Sequence, residues 1–142
     1  MKKTKEPTTA QLATKLRKKC VELAKHKARE LVGDKCEHCG RSKAEGWQMH
    51  GSHIYSEGAY VSMSADVDNI LCLCAMCHTG GMFRGGRTKM LCWHSDPVYF
   101  GNWFDNKYPK RAKILKERAR KSQQADLWFW EQKWKSLNGK EL

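Results

Sequence analysis

Residues 35–78 read KCEHCGRSKAEGWQMHGSHIYSEGAYVSMSADVDNILCLCAMCH, and this stretch decides the fold. Two Cys-x-x-Cys pairs, Cys36/Cys39 and Cys74/Cys77, stand near its two ends. Thiolates two residues apart can turn to one side of a tight knuckle, so two knuckles supply the four sulfurs of a tetrahedral structural zinc site. Everything between them is then a loop pinned at both ends. That loop holds His50, His53 and Asn69, and His78 follows the second pair directly. Gly40 sits where the first knuckle calls for a positive φ. His38, inside that knuckle, is expected to be exposed, because the thiolates already complete a site.

Within the loop, residues 47–55 alternate loosely and suggest a first short strand, which Ser56-Glu57-Gly58 breaks. Residues 60–63 are expected to begin the return strand. Asp66, Asp68 and Asn69 then form a polar loop ahead of Ile70-Leu71-Cys72-Leu73, and helical character resumes near residues 75–78. Upstream, Thr8 with Gln11 makes a capping box. Leu12, Leu16, Cys20, Leu23, Ala24, Ala28 and Leu31 recur at steps of three and four, the apolar stripe of a helix that ends at Gly33. Seven Lys and Arg residues between 15 and 29 fill its other faces.

Downstream, Gly80-Gly81 and Gly85-Gly86 bracket Arg84, with Arg87 and Lys89 beyond, a loop that carries cations but lacks P-loop spacing. The aromatic residues between Trp93 and Phe104 are expected to pack around the zinc module. Pro109 suits a first helical position, and Lys110, Arg111 and Lys113 begin a second basic block over a narrow apolar stripe of Ile114, Leu115 and Ala119. Ser122-Gln123-Gln124 is a weak point. Leu127, Trp128, Trp130, Trp134 and Leu137 then form an apolar C-terminal helix whose indoles must be buried on the N-terminal helix or on a second subunit, which makes a homodimer through this helix an expectation.

These segments divide the chain into a basic tail and helix (1–33), a zinc-bound core with an aromatic extension (34–104), and a basic, then Trp-rich, helical region (105–142). The formal net charge is +12 across 142 residues and the mean hydropathy is −0.76. Such a balance favours a polyanionic partner, nucleic acid first among them. It also leaves a thin apolar core that a metal site would reinforce. Seven cysteines are an odd number and four stand in ligand spacing, so Cys20, Cys72 and Cys92 are expected as free thiols in a reducing compartment. No secretory signal and no membrane span is legible, so the expected location is the cytoplasm, that of the host cell if the chain is phage-encoded.

The order His53, Asn69, Cys74-x-x-Cys77-His78 resembles the HNH endonuclease pattern, in which a strand histidine is followed by Asn-x₄-Cys-x-x-Cys-His. With Cys36-x-x-Cys39-Gly40 and His50-Gly51-Ser52-His53 the chain is most similar to the phage NinG (Rap) group of recombination nucleases. The resemblance covers Cys36 to His78. It implies an α+β fold, a ββα-metal core flanked by helices, and hydrolysis of DNA phosphodiester bonds with Mg²⁺ or Mn²⁺ beside the structural Zn²⁺. In that scheme His53 is the general base, Asn69 orients it or fixes the loop, and His78 binds the catalytic ion. The same register makes Cys74 rather than Cys72 the zinc ligand.

The family often places Asp or His immediately before the base, and here that residue is Ser52. His50 is taken as the substitute ligand, with Asp66 and Asp68 as alternatives. Strand alternation would set residues 50 and 53 on opposite faces unless Gly51 makes a bulge. DNA would be gripped by Arg84, Arg87, Lys89, Lys110, Arg111 and Lys113. A non-catalytic zinc-knuckle nucleic-acid-binding protein is the competing reading.

Overall fold

A computed structural model describes residues 3–80 and 92–139, and the loop cations Arg84, Arg87 and Lys89 lie outside them. The chain is α+β, with a two-stranded antiparallel sheet and five helices among the described residues. Helix α1 (Thr9–Leu31) starts at Thr8, where hydroxyl and Gln11 amide form a reciprocal capping box. Its buried line is Cys20, Val21, Ala24 and Ala28, whereas the two ends of the expected stripe, Leu12 and Leu31, are exposed.

Strand β1 (Met49–His53) pairs with β2 (Ile70–Cys74) in unbroken register, from Met49 opposite Cys74 to His53 opposite Ile70. Residues 60–63, expected to begin the return strand, instead hold a 3₁₀ turn at Val61–Met63. The return strand is the apolar run that follows Asn69. It is buried at every position, because one of its faces meets α1 and the other meets the aromatic helices, so it lacks the alternation that marks a half-exposed strand. Helix α2 (Ala75–Thr79) follows β2 directly.

Two cores flank the hairpin. On one side Leu71, Leu73 and Met63 pack with Phe100 and Phe104 of α3 (Pro97–Lys107) and Leu115 of α4 (Pro109–Arg120). On the other, Ile70 and Ala65 pack with α1 and with Trp130 and Leu137 of α5 (Leu127–Leu137). The C-terminal indole at 130 is therefore buried on the N-terminal helix, and the Cys20 thiol donates to its carbonyl at 3.6 Å. Trp128 is 67% exposed and Trp134 36%. Helical structure is interrupted between α4 and α5 across the expected weak point at residues 122–124. Asp105 and Asn106 fall inside α3, and Tyr108 caps the Pro109 helix. No described helix is long and apolar enough to cross a membrane.

Candidate metal centre and histidine cluster

The first knuckle folds because Cys36 N–H donates to Arg41 O while Gly40 N–H returns to Cys36 O, with Gly40 at φ 81°. In the second, Cys74 caps α2 and its sulfur accepts from Cys77 N–H at 3.5 Å. The ligand atoms of Cys36, Cys39, Cys74 and Cys77 all lie within 4.8 Å of one another, and Cys39 Sγ is 3.6 Å from Cys74 Sγ. A tetrahedral zinc with bonds of about 2.3 Å needs sulfurs roughly 3.8 Å apart, so the quartet fits such an ion. Cys72, two residues away on the same strand, is outside the group, and burial pushes its thiol up to about 12.

Four thiols this close favour at least one thiolate. The Cys77 thiol donating to Cys36 holds Cys36 at about 4, and the same contact pushes Cys77 up. His38 is not exposed as expected. It is half-buried against Phe100 and Trp103, with Nδ1 3.3 Å from Cys77 Sγ and Nε2 3.3 Å from Tyr99 Oη. A polar contact of this kind orients a sulfur ligand.

The carboxylate of Glu37 completes the support, and sequence reasoning missed it. It accepts from Cys72 N–H at 2.7 Å and from Tyr108 Oη at 3.0 Å, and Arg111 lies 3.5 Å away. One knuckle residue thus joins the cysteine quartet to β2 and α4. No spacing in the sequence signals such a role.

The histidine pair forms next to the quartet, since His50 pairs with Leu73, the neighbour of Cys74, and His78 directly follows Cys77. His50 Nδ1 and His78 Nδ1 are 2.9 Å apart, and His94 meets the His78 ring edge-on at 4.6 Å between centroids. His94 N–H also donates to His78 O, so the segment after the aromatic turn is tied to α2. Two nitrogens at this separation share either a proton or a cation. With bonds of about 2.1 Å, adjacent corners of an octahedron stand roughly 3.0 Å apart, so the pair fits two ligands of one divalent ion. Burial, then His94, His50 and Lys25, holds His78 at about 4, and burial with Arg29 and Lys25 lowers His50. Both rings are neutral at pH 7 and available as ligands.

The register has no bulge at Gly51, so His53 projects from the face opposite His50. Residue 52 has the parity of residue 50, so His50 leaves the strand on the side where a ligand placed immediately before His53 would. His53 Nε2 is 2.7 Å from Ser64 O. A carbonyl only accepts, so Nε2 is the donor in this contact and Nδ1 is the ring nitrogen left facing away from it.

Asn69 is fully buried and spends its amide on the backbone. Its Oδ1 accepts from Tyr55 N–H at 2.8 Å, and its Nδ2 donates to Tyr55 O at 3.0 Å and to Met63 O at 3.1 Å. It fixes the loop, and with it the carbonyl of Ser64 that holds His53. Asp66 and Asp68, the alternative ligands, are both paired with Arg118 at 2.8 Å and join no converging group of metal-ligating side chains among the described residues.

The chain matches no family model, no curated protein and no solved structure. Geometry and the sequence pattern therefore carry the functional reading. Among the described residues the cysteine quartet is the group of three or more converging metal-ligating side chains. The histidine pair supplies two nitrogens. Of the described residues expected to grip DNA, Lys110 and Lys113 are exposed on α4. Arg111 turns inward, donating to Asp68 O at 2.7 Å and Ile70 O at 2.9 Å, and braces the loop instead.

Proposed function

We propose that this protein is a metal-dependent DNA endonuclease of the HNH type, of the kind phages use in recombination and DNA processing. The observation that carries the reading is the pairing of His50 Nδ1 with His78 Nδ1 at 2.9 Å on a hairpin that carries His53, hydrogen-bonded to Ser64 O, on its other face. A hairpin and helix clamped by four sulfurs hold these groups, and the net charge of +12 suits a polyanionic substrate.

In this mechanism His53 Nδ1 accepts a proton from water as the oxygen attacks phosphorus, and the bond to the 3′-oxygen breaks to leave a 5′-phosphate. A bound Mg²⁺ or Mn²⁺ would stabilise the charge on the phosphate and the leaving oxygen. His50 and His78 would hold that ion, and the quartet would hold Zn²⁺. Asn69 acts through the loop as a positioning residue. Dimerisation through α5 would rely on Trp128 and Trp134, since Trp130 is covered by α1.

The test is nicking of supercoiled plasmid by zinc-loaded protein in Mg²⁺ or Mn²⁺. His53→Ala abolishes nicking and leaves zinc content unchanged; a variant that nicks like the wild type removes the assignment. The alternative, a zinc-knuckle module that binds nucleic acid without cutting it, is favoured by the fact that only the cysteine quartet supplies a complete ligand set among the described residues. Absence of nicking by the wild type in every divalent ion selects it.

A further inference from the structure

The turn that joins the first cysteine knuckle to β1 presents one indole in a fixed position. Ser42 caps a short 3₁₀ turn (Lys43–Glu45) that ends at Gly46, whose φ of 92° suits glycine. Lys43 N–H donates to Asp34 O at 3.0 Å and Trp47 N–H to Ser42 O at 3.2 Å. Gln48 O accepts from Ala75 N–H at 2.9 Å, so the backbone is held at and after Trp47. The Trp47 residue is nevertheless 38% exposed. The Arg41 guanidinium lies over its ring, 4.7 Å from the centroid, and Arg41 Nη1 is 3.4 Å from Cys39 Sγ. One face of the indole is thus backed by a cation that the cysteine quartet anchors, which leaves the exposed area to the remainder of the ring.

An indole held in place by its backbone and by a stacked guanidinium loses little freedom on binding, and every nucleobase offers a π-face to stack on it. Lys35, bridged to Ser42, and Lys43 are exposed on the same turn and make no ion pair among the described residues. Of the nearby carboxylates, Glu45 accepts from Ser42 Oγ at 2.9 Å and Glu37 is turned to β2 and α4, which leaves Asp34. We infer that Trp47 and Arg41 form a stacking platform for an unpaired base of a DNA strand, with Lys35 and Lys43 placed for its phosphates. A base inside a duplex is already stacked on both sides and cannot reach the platform. The inference rests on the nucleic-acid partner of the proposed function, but the binding it describes does not need cleavage. It also separates Trp47 from Trp128, which is 67% exposed and has no cation over its ring among the described residues.

The test uses the full zinc-loaded chain without added divalent ion and three fluorescently labelled ligands: oligothymidine, the same backbone with abasic sites, and a duplex. The wild type is expected to bind oligothymidine more tightly than the abasic strand. Trp47→Ala should weaken oligothymidine binding about tenfold, as for one lost stacked base, and leave the abasic strand and the duplex unaffected. The slope of log affinity against log salt stays the same, because no phosphate contact is removed. Trp47→Phe recovers most of the affinity, and Trp128→Ala changes nothing. Zinc content and unfolding curves matching the wild type show that the variants are folded. An equal loss on the duplex or the abasic strand, an equal loss in Trp128→Ala, or wild-type binding by Trp47→Ala overturns the platform. So does a wild type that binds oligothymidine and the abasic strand alike, whatever the variants do. A platform that passes in a protein that never nicks plasmid refutes the nuclease reading alone. Nicking by a protein whose binding is indifferent to Trp47 refutes the platform alone.

Discussion

Asn69→Ala separates a residue that builds the site from one that touches substrate. The amide makes three hydrogen bonds, all to backbone groups of the loop between the strands, and its side chain is fully buried. Alanine leaves Tyr55 N–H, Tyr55 O and Met63 O without that partner. Each net hydrogen bond is worth about 0.5–1.5 kcal/mol, and a buried group left unpaired costs about 1–3 kcal/mol. Water entering the vacated space satisfies part of this, so the expected loss is about 3 kcal/mol, or roughly 10 °C in Tm for a chain of this size. Urea unfolding of the zinc-loaded protein, followed by Trp fluorescence, reads the change. Because Met63 O adjoins the Ser64 carbonyl that holds His53 Nε2 at 2.7 Å, nicking should fall with stability. Unfolding identical to the wild type with nicking abolished would refute the loop-fixing role and favour Asn69 acting on His53.

Gly51→Ala pushes a methyl group to within 2.8 Å of Lys25 Cβ, an atom that rotation of the lysine cannot move, so α1 must lift. Overpacking of about 1–3 kcal/mol outweighs the loss of unfolded-state freedom, about 0.5–1 kcal/mol, for a net destabilisation of about 1–2 kcal/mol in the same unfolding assay; a stabilised variant would contradict the close packing. Arg111→Ala should cost about 1–3 kcal/mol through its lost bonds to Asp68 O and Ile70 O, while Lys113→Ala leaves stability within about 0.5 kcal/mol and weakens DNA binding in a salt-dependent way. The opposite pattern would restore Arg111 as a DNA ligand. Cys74→Ser should lose zinc and Cys72→Ser should keep it, as metal analysis of the purified proteins would show; equal zinc content would refute the ligand set.

The fold was legible in the sequence wherever a local rule governs it. The capping box at Thr8, the positive φ at Gly40 and the proline start of α4 follow from backbone chemistry within a few residues. The cysteine quartet was legible because ligand spacing survives folding unchanged. The return strand was misplaced because Ile70–Cys74 is buried on both faces, and a continuous apolar run carries no period to mark it. The site was legible only in part. His53, Asn69 and His78 came from the HNH-like register, but the backbone role of Asn69 needed the loop's coordinates. Glu37 left no trace in the sequence and His94 read only as a structural or supporting histidine of the aromatic segment, since their contacts join segments far apart in the chain. Arg111 looked like one basic residue among several until its guanidinium was seen to face two carbonyls.

The central claim is that one hairpin and helix hold two different metal ions, and anomalous diffraction from crystals soaked in Mn²⁺ tests it directly. The account predicts a zinc peak among the sulfurs of Cys36, Cys39, Cys74 and Cys77 and a manganese peak within bonding distance of His50 Nδ1 and His78 Nδ1. A zinc peak alone, with the two imidazoles still paired to each other, would contradict it.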